Sequence, residues 1–71
     1  MIDLYAFMIE GYEVEVYVYE GLNDVEGTIV CCGEEIGYFY YSTLGQNIEE
    51  FVREMCESEA KKAFNNFKEE F

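Results

Sequence analysis

Tyr12-Glu13-Val14-Glu15-Val16-Tyr17-Val18-Tyr19 is the stretch on which the fold turns. Valine occupies every second position from Val14 to Val18, and Glu13, Glu15, Tyr17 and Tyr19 fill the places between. A period of two belongs to a strand with one buried face, so the valines mark the core side and Glu13 and Glu15 the outside.

On its N-terminal side, Ile2 to Ile9 forms a second strand-like run, and Glu10-Gly11 reads as a hairpin turn, although Asn-Gly would signal one more strongly. Two loop lengths satisfy this hairpin. A three-residue loop aligns Leu4, Ala6 and Met8 with the valines and leaves Asp3, Tyr5 and Phe7 outside. A two-residue loop sets Phe7 and Ile9 beside the valines instead. The choice exchanges the two faces of the first strand.

On its C-terminal side, a third strand is expected at about Thr28 to Cys32. A turn at Gly33-Glu34-Glu35 then leads to a fourth strand, Ile36 to Tyr41. Asn23, Asp24 and Glu26, between Gly21 and Gly27, read as a solvated turn, because Asn and Asp favour turns. They lack the longer ligand spacing and terminal Glu of an EF-hand loop.

From Asn47 the period becomes helical. Asn47 is a candidate N-cap, with Glu50 in the capping-box position. Ile48, Phe51, Val52 and Met55 form one apolar stripe, and Ala60, Ala63, Phe64, Phe67 and Phe71 form a second, rotated from the first. Glu59 falls where the first stripe would continue, so the helix either curves or breaks near Ser58. Glu49 with Arg53 and Glu57 with Lys61 are favourable i,i+4 pairs, each contributing a few tenths of a kcal/mol. The expected architecture is α+β: one domain over residues 1–71, an antiparallel four-stranded sheet with a C-terminal helix packed on one face. Residues 1–46 make the acidic sheet region and 47–71 the helical one.

Composition narrows the function. A chain of 71 residues with net charge −12 could be disordered, but 51% hydrophobic and 18% aromatic residues argue for a packed fold. Such acidity opposes direct binding of nucleic acid or an anionic membrane. Met1-Ile2-Asp3 lacks the basic start of a signal peptide, and no apolar run reaches the ~20 residues of a membrane span. A cytoplasmic location is therefore expected. So is the reduced form of Cys31, Cys32 and Cys56, since three cysteines do not describe a disulfide framework. They read as small buried hydrophobes. With no His and no fourth soft ligand, a zinc site is not expected, nor is any other cofactor.

Catalytic parts are missing as well. Without His neither a Ser-His nor a Cys-His pair can form, and there is no glycine-rich phosphate loop and no Lys before Lys61. The protein is not expected to be an enzyme. The tyrosines carry more information. Tyr17, Tyr19, Tyr38, Tyr40 and Tyr41 crowd the second and fourth strands, and one helix cannot cover them all. Exposed Tyr among carboxylates suits an interface. The same surplus could feed a homodimer through an open sheet edge.

All four basic residues, Arg53, Lys61, Lys62 and Lys68, fall in the helical part. Residues 1–46 hold nine acids and no base: Asp3, Glu10, Glu13, Glu15, Glu20, Asp24, Glu26, Glu34 and Glu35. Carboxylates two apart on a strand, such as Glu13 and Glu15, stand ~6.8 Å apart. That is about two axial phosphate rises of ~3.4 Å on one DNA strand. Such a sheet could offer carboxylates to the arginines and lysines that grip phosphates. Acidity also keeps a Tyr- and Phe-rich domain soluble, but a net charge of about 2 to 8 suffices for that.

The short length, the base-free antiparallel sheet and the mixture of exposed Tyr and Glu resemble small acidic phage-encoded inhibitors, anti-CRISPR and anti-restriction DNA mimics among them. The resemblance is one of overall character, and it implies occupation of a basic nucleic-acid cleft. The first expectation is thus an inhibitor that binds a basic nucleic-acid-binding protein, such as a CRISPR effector or restriction nuclease, and excludes DNA or RNA. Its contact residues would be Glu13 and Glu15, then Asp3, Glu10, Glu20, Asp24, Glu26, Glu34 and Glu35, with Tyr17 and Tyr19 as aromatic anchors. The second is a small intracellular interaction module, antitoxin-like or a regulatory subunit, without nucleic-acid mimicry.

Overall fold

The structure, a computed structural model, describes residues 2–43 and 52–69. Strands β1 (Ile2–Ile9), β2 (Tyr12–Glu20), β3 (Asp24–Cys31) and β4 (Glu34–Ser42) form one antiparallel sheet in the order β1-β2-β3-β4. Helix α1 (Val52–Lys68) packs on one face. This is the expected α+β architecture.

The valines do set the core side. Val14, Val16 and Val18 are fully buried, joined by Val25, Ile29 and Cys31 of β3 and Phe39 of β4. The β1–β2 register follows the two-residue loop: Ile9 pairs with Tyr12, Phe7 with Val14 and Tyr5 with Val16. The turn decides this. Glu10 (φ 51°) and Gly11 (φ 86°) both lie in the left-handed region, as a type I′ hairpin requires, and that turn matches the twist of its strands. Phe7 therefore enters the core, and Leu4, Ala6 and Met8 stand on the opposite face.

Two boundaries differ from expectation. The β3–β4 turn is Cys32-Gly33 (φ 56° and 77°), again of type I′, so Glu34 and Glu35 belong to β4 and do not form the turn. Strand β3 starts at Asp24, four residues before the expected Thr28, because Asp24 pairs with Ser42 and Val25 is a core residue. The β2–β3 connection is Gly21-Leu22-Asn23. It is closed by the Gly21 N–H donating to the Asp24 carbonyl at 2.9 Å and the Thr43 N–H donating to that of Asn23 at 2.8 Å. A register shift at Ile29/Val30 leaves Ile36 as the extra residue of a bulge, packed against the core.

The helix is continuous through Ser58. The candidate cap Asn47, its partner Glu50, and the apolar residues Ile48, Phe51 and Phe71 lie outside the described residues, as does Glu49. Within α1 the buried stripe is Val52, Cys56, Ala60, Ala63 and Phe64, flanked by partly buried Met55 and Phe67. Cys56 and Ala60 join what had looked like two stripes. Glu59 sits at the flank, where it accepts a hydrogen bond from the Tyr41 hydroxyl. The Arg53 guanidinium lies 5.6 Å from the centre of the Phe7 ring, and Tyr12 packs its ring against Phe64 at 5.7 Å. Cys31 and Cys56 are buried as expected, but Cys32 is exposed, because its turn position carries it out of the sheet.

Candidate functional site

Among the described residues one helix covers one face and the other face of the sheet is open, and the register states what stands there. Tyr17 of β2, Thr28 of β3 and Tyr38 of β4 form one row, with Leu4 of β1 at its end. The next row is Tyr19, Glu26 and Tyr40. On the opposite side of the tyrosine row lie Ala6, Glu15, Val30 and Glu35. Glu13 beside Met8, and Asp24 beside Ser42, complete the face at its two ends.

Five carboxylates among the described residues thus share the open face: Glu13, Glu15, Asp24, Glu26 and Glu35. Among the described residues no Lys or Arg does, because all four basic residues belong to α1 on the far side. Lys61 and Lys62 approach Glu57 and Glu59 at 3.7 and 3.6 Å, and Lys68 bonds Glu10 at 2.8 Å.

Tyrosines organise three of these acids. The Tyr17 hydroxyl donates to Glu15 at 2.8 Å, that of Tyr38 to Glu26 at 2.6 Å, and that of Tyr40 to Asp24 at 3.0 Å. Each bond holds its phenol above the ordinary pKa of 10.0, because ionising the donor would set two anions together. At neutral pH the hydroxyls therefore keep donating. A carboxylate held this way has fewer rotamers to lose when a partner binds it, and it retains an oxygen for that partner. Apolar side chains share the surface: Leu4 is 56% exposed and Met8 70%. Leu22, 98% exposed, projects from the loop before Asp24.

Of the residues expected at an interface, Glu13, Glu15, Tyr17, Tyr19, Asp24, Glu26 and Glu35 are gathered on this face. Asp3 and Glu20 stand on the helix side, in the core rows of Val18 and Val25. Glu10 is in the β1–β2 turn, engaged by Lys68, and Glu34 follows the β3–β4 turn. Tyr38, Tyr40, Leu4 and Met8 were not among the expected contact residues. The signal for the first two was present: Tyr38 and Tyr40 flank the buried Phe39 in an alternation like that of β2.

Asp24 and Glu26 are strand residues bonded to tyrosines and do not form the expected solvated turn. Among the described residues no three His, Cys, Asp or Glu side chains converge as a metal site would need, and no helix is long and apolar enough to cross a membrane. A cleft of about 220 Å³ opens on the face between Tyr17, Tyr19, Glu26, Thr28 and Tyr38. It is smaller than the ~300–1,000 Å³ of a typical small-molecule site. No family model matches the chain, and comparison with curated proteins and with solved structures returns no match.

Proposed function

We propose that this protein binds the positively charged nucleic-acid site of another protein through the open face of its sheet, and so inhibits that protein by excluding DNA or RNA. The observation that carries this reading is the segregation of charge. Five carboxylates and four tyrosines share one face with no base among them, while every Lys and Arg is on the helix. A need for solubility accounts neither for the full net charge of −12 nor for its one-sidedness. Rows of carboxylates along β2 and β3, steadied by phenol donors, suit the arginines and lysines that otherwise grip phosphates.

The test uses purified restriction nucleases and CRISPR effectors with their DNA substrates. A member of that set should be blocked at about one inhibitor per enzyme, duplex DNA should compete, and affinity should fall steeply as NaCl rises. Glu13→Lys/Glu15→Lys should lose inhibition and keep its circular dichroism spectrum. Binding that ignores salt and leaves DNA in place would overturn the proposal.

One feature favours a second reading, an interaction module without mimicry. Strand β1 is a sheet edge, and it carries a single charged residue, Asp3, with Leu4 and Met8 exposed beside it. Such an edge can pair with a strand of a partner or of a second copy. Sedimentation of the isolated protein as a dimer, undone by Ala6→Pro, would favour this reading.

A further inference from the structure

The open face also bears on which basic residue it receives, an inference that rests on the function proposed above. The hydroxyls of Tyr17 and Tyr38 are drawn in opposite directions along the sheet, the first to Glu15 and the second to Glu26. Between them lies only the short side chain of Thr28. Tyr17 and Tyr38 thus flank Thr28 across a trough that Tyr19 and Glu26 also line. Neighbouring strands are about 4.8 Å apart, so the two walls rise from strands ~9.6 Å apart. A flat group between two rings needs about 3.5–4.0 Å on each side, or ~7–8 Å in all. Strand spacing therefore leaves width for one planar group between Tyr17 and Tyr38.

We infer that this trough is a receptor for an arginine guanidinium of the partner protein. The cation would lie between the Tyr17 and Tyr38 rings, with its N–H groups donating to Glu26. Guanidinium is planar, weakly hydrated and forked, which suits stacking and carboxylate pairing together. A lysine ammonium is a compact, strongly hydrated point charge and gains little from two flat walls. Glu26 is already oriented by Tyr38, so the acceptor is in place before the cation arrives. The charge of the surrounding face draws in either cation, and the tyrosine walls discriminate between them.

The experiment titrates the whole protein with three capped hexapeptides, alternating Gly with Arg, with Lys or with trimethyl-lysine, at one salt concentration. Binding is followed by calorimetry and by the tyrosine ring resonances. The arginine peptide should bind about tenfold more tightly than the lysine peptide and shift the Tyr17 and Tyr38 signals. Tyr17→Leu/Tyr38→Leu leaves the net charge unchanged and should bring the two peptides to parity, with circular dichroism confirming the fold. Equal affinities in the unaltered protein, a preference that survives the leucine variant, or tightest binding of trimethyl-lysine would each overturn the arginine site. The basic-partner reading would stand in all three cases. Failure of every peptide to bind would remove both.

Discussion

Gly37 of β4 faces Ala63 of α1 so closely that a Cβ built on the glycine would stand 2.8 Å from the Cβ of the alanine. The helix reaches the sheet at this point because neither residue has more side chain to offer. Gly37→Ala would gain about 0.4–1 kcal/mol by restricting the unfolded chain. Overpacking at such a contact costs about 1–3 kcal/mol, and that term wins. The variant should melt several degrees below the parent in a circular dichroism scan. An unchanged or higher melting temperature would show that the helix can lift away without cost.

The β3–β4 turn places Cys32 at a φ of 56°, a conformation that Asn tolerates far better. Cys32→Asn should stabilise the protein by about 0.5–1 kcal/mol, measured by urea denaturation. Glu10 holds the same conformation in the other hairpin, but Glu10→Asn would also lose the 2.8 Å contact with Lys68 and should gain less.

Alkaline pH should unfold the protein in two overlapping stages. Burial pushes the Cys56 thiol from 9.0 up to about 11, with Glu20 and Glu59 adding to the effect. The folded state therefore holds this proton more tightly. Its contribution is intact below pH 9.0 and drains away as the pH climbs to about 11. Two pH units correspond to something on the order of 2–3 kcal/mol. Tyr17, Tyr38, Tyr40 and Tyr41, raised above 10.0 chiefly by donating to carboxylates, add a further loss beyond pH 10.0. Denaturation midpoints across this range should be steepest in the parent and flatter between pH 9.0 and 11 in Cys56→Ala. Parallel curves would remove Cys56 from the account.

Sodium chloride should raise the melting temperature. Carboxylates crowd a face that has no counter-charge, so screening relieves repulsion that is stronger in the folded state than in the extended chain. Relief of about 1 kcal/mol corresponds to roughly 4–8 °C in a domain of this size. A melting temperature that falls with added salt would mean that the Lys68–Glu10 and helix-surface pairs outweigh the repulsion.

What was legible beforehand followed the strength of each local pattern. The alternation of β2 is unambiguous, so its core side and the outward placement of Glu13, Glu15, Tyr17 and Tyr19 could be read directly. Strand β1 is apolar on both sides, with Leu4, Ala6 and Met8 against Tyr5, Phe7 and Ile9, and alternation there cannot name a face. The backbone of Glu10 and Gly11 decides it. Asp24 looked like part of a turn because its residue type favours turns, but pairing with Ser42 draws it into β3. Small Cys56 and Ala60 hid the continuity of the helix stripe, since a reading weighted toward large apolar side chains passes over them. Asp3 has acidic chemistry like the rest, and only the register shows that it stands on the helix side, whereas Glu20 shares the parity of Val14, Val16 and Val18 and was legible from the alternation of β2.

The separation of Lys and Arg from the open face has a consequence for encounter as well as for contact. Helix α1 holds three acids, Glu54, Glu57 and Glu59, against four bases, while the opposite face of the sheet holds five acids alone. Asp3 and Glu20 add their charge on the helix side, so both sides are acidic, but every positive charge lies with the helix and the uncompensated negative charge of the described residues is concentrated on the open face. In the field of a positive surface such a body experiences a torque that turns its tyrosine-bearing side forward before the surfaces touch. A larger share of collisions then begins in the binding orientation, and association is fastest where salt is scarce.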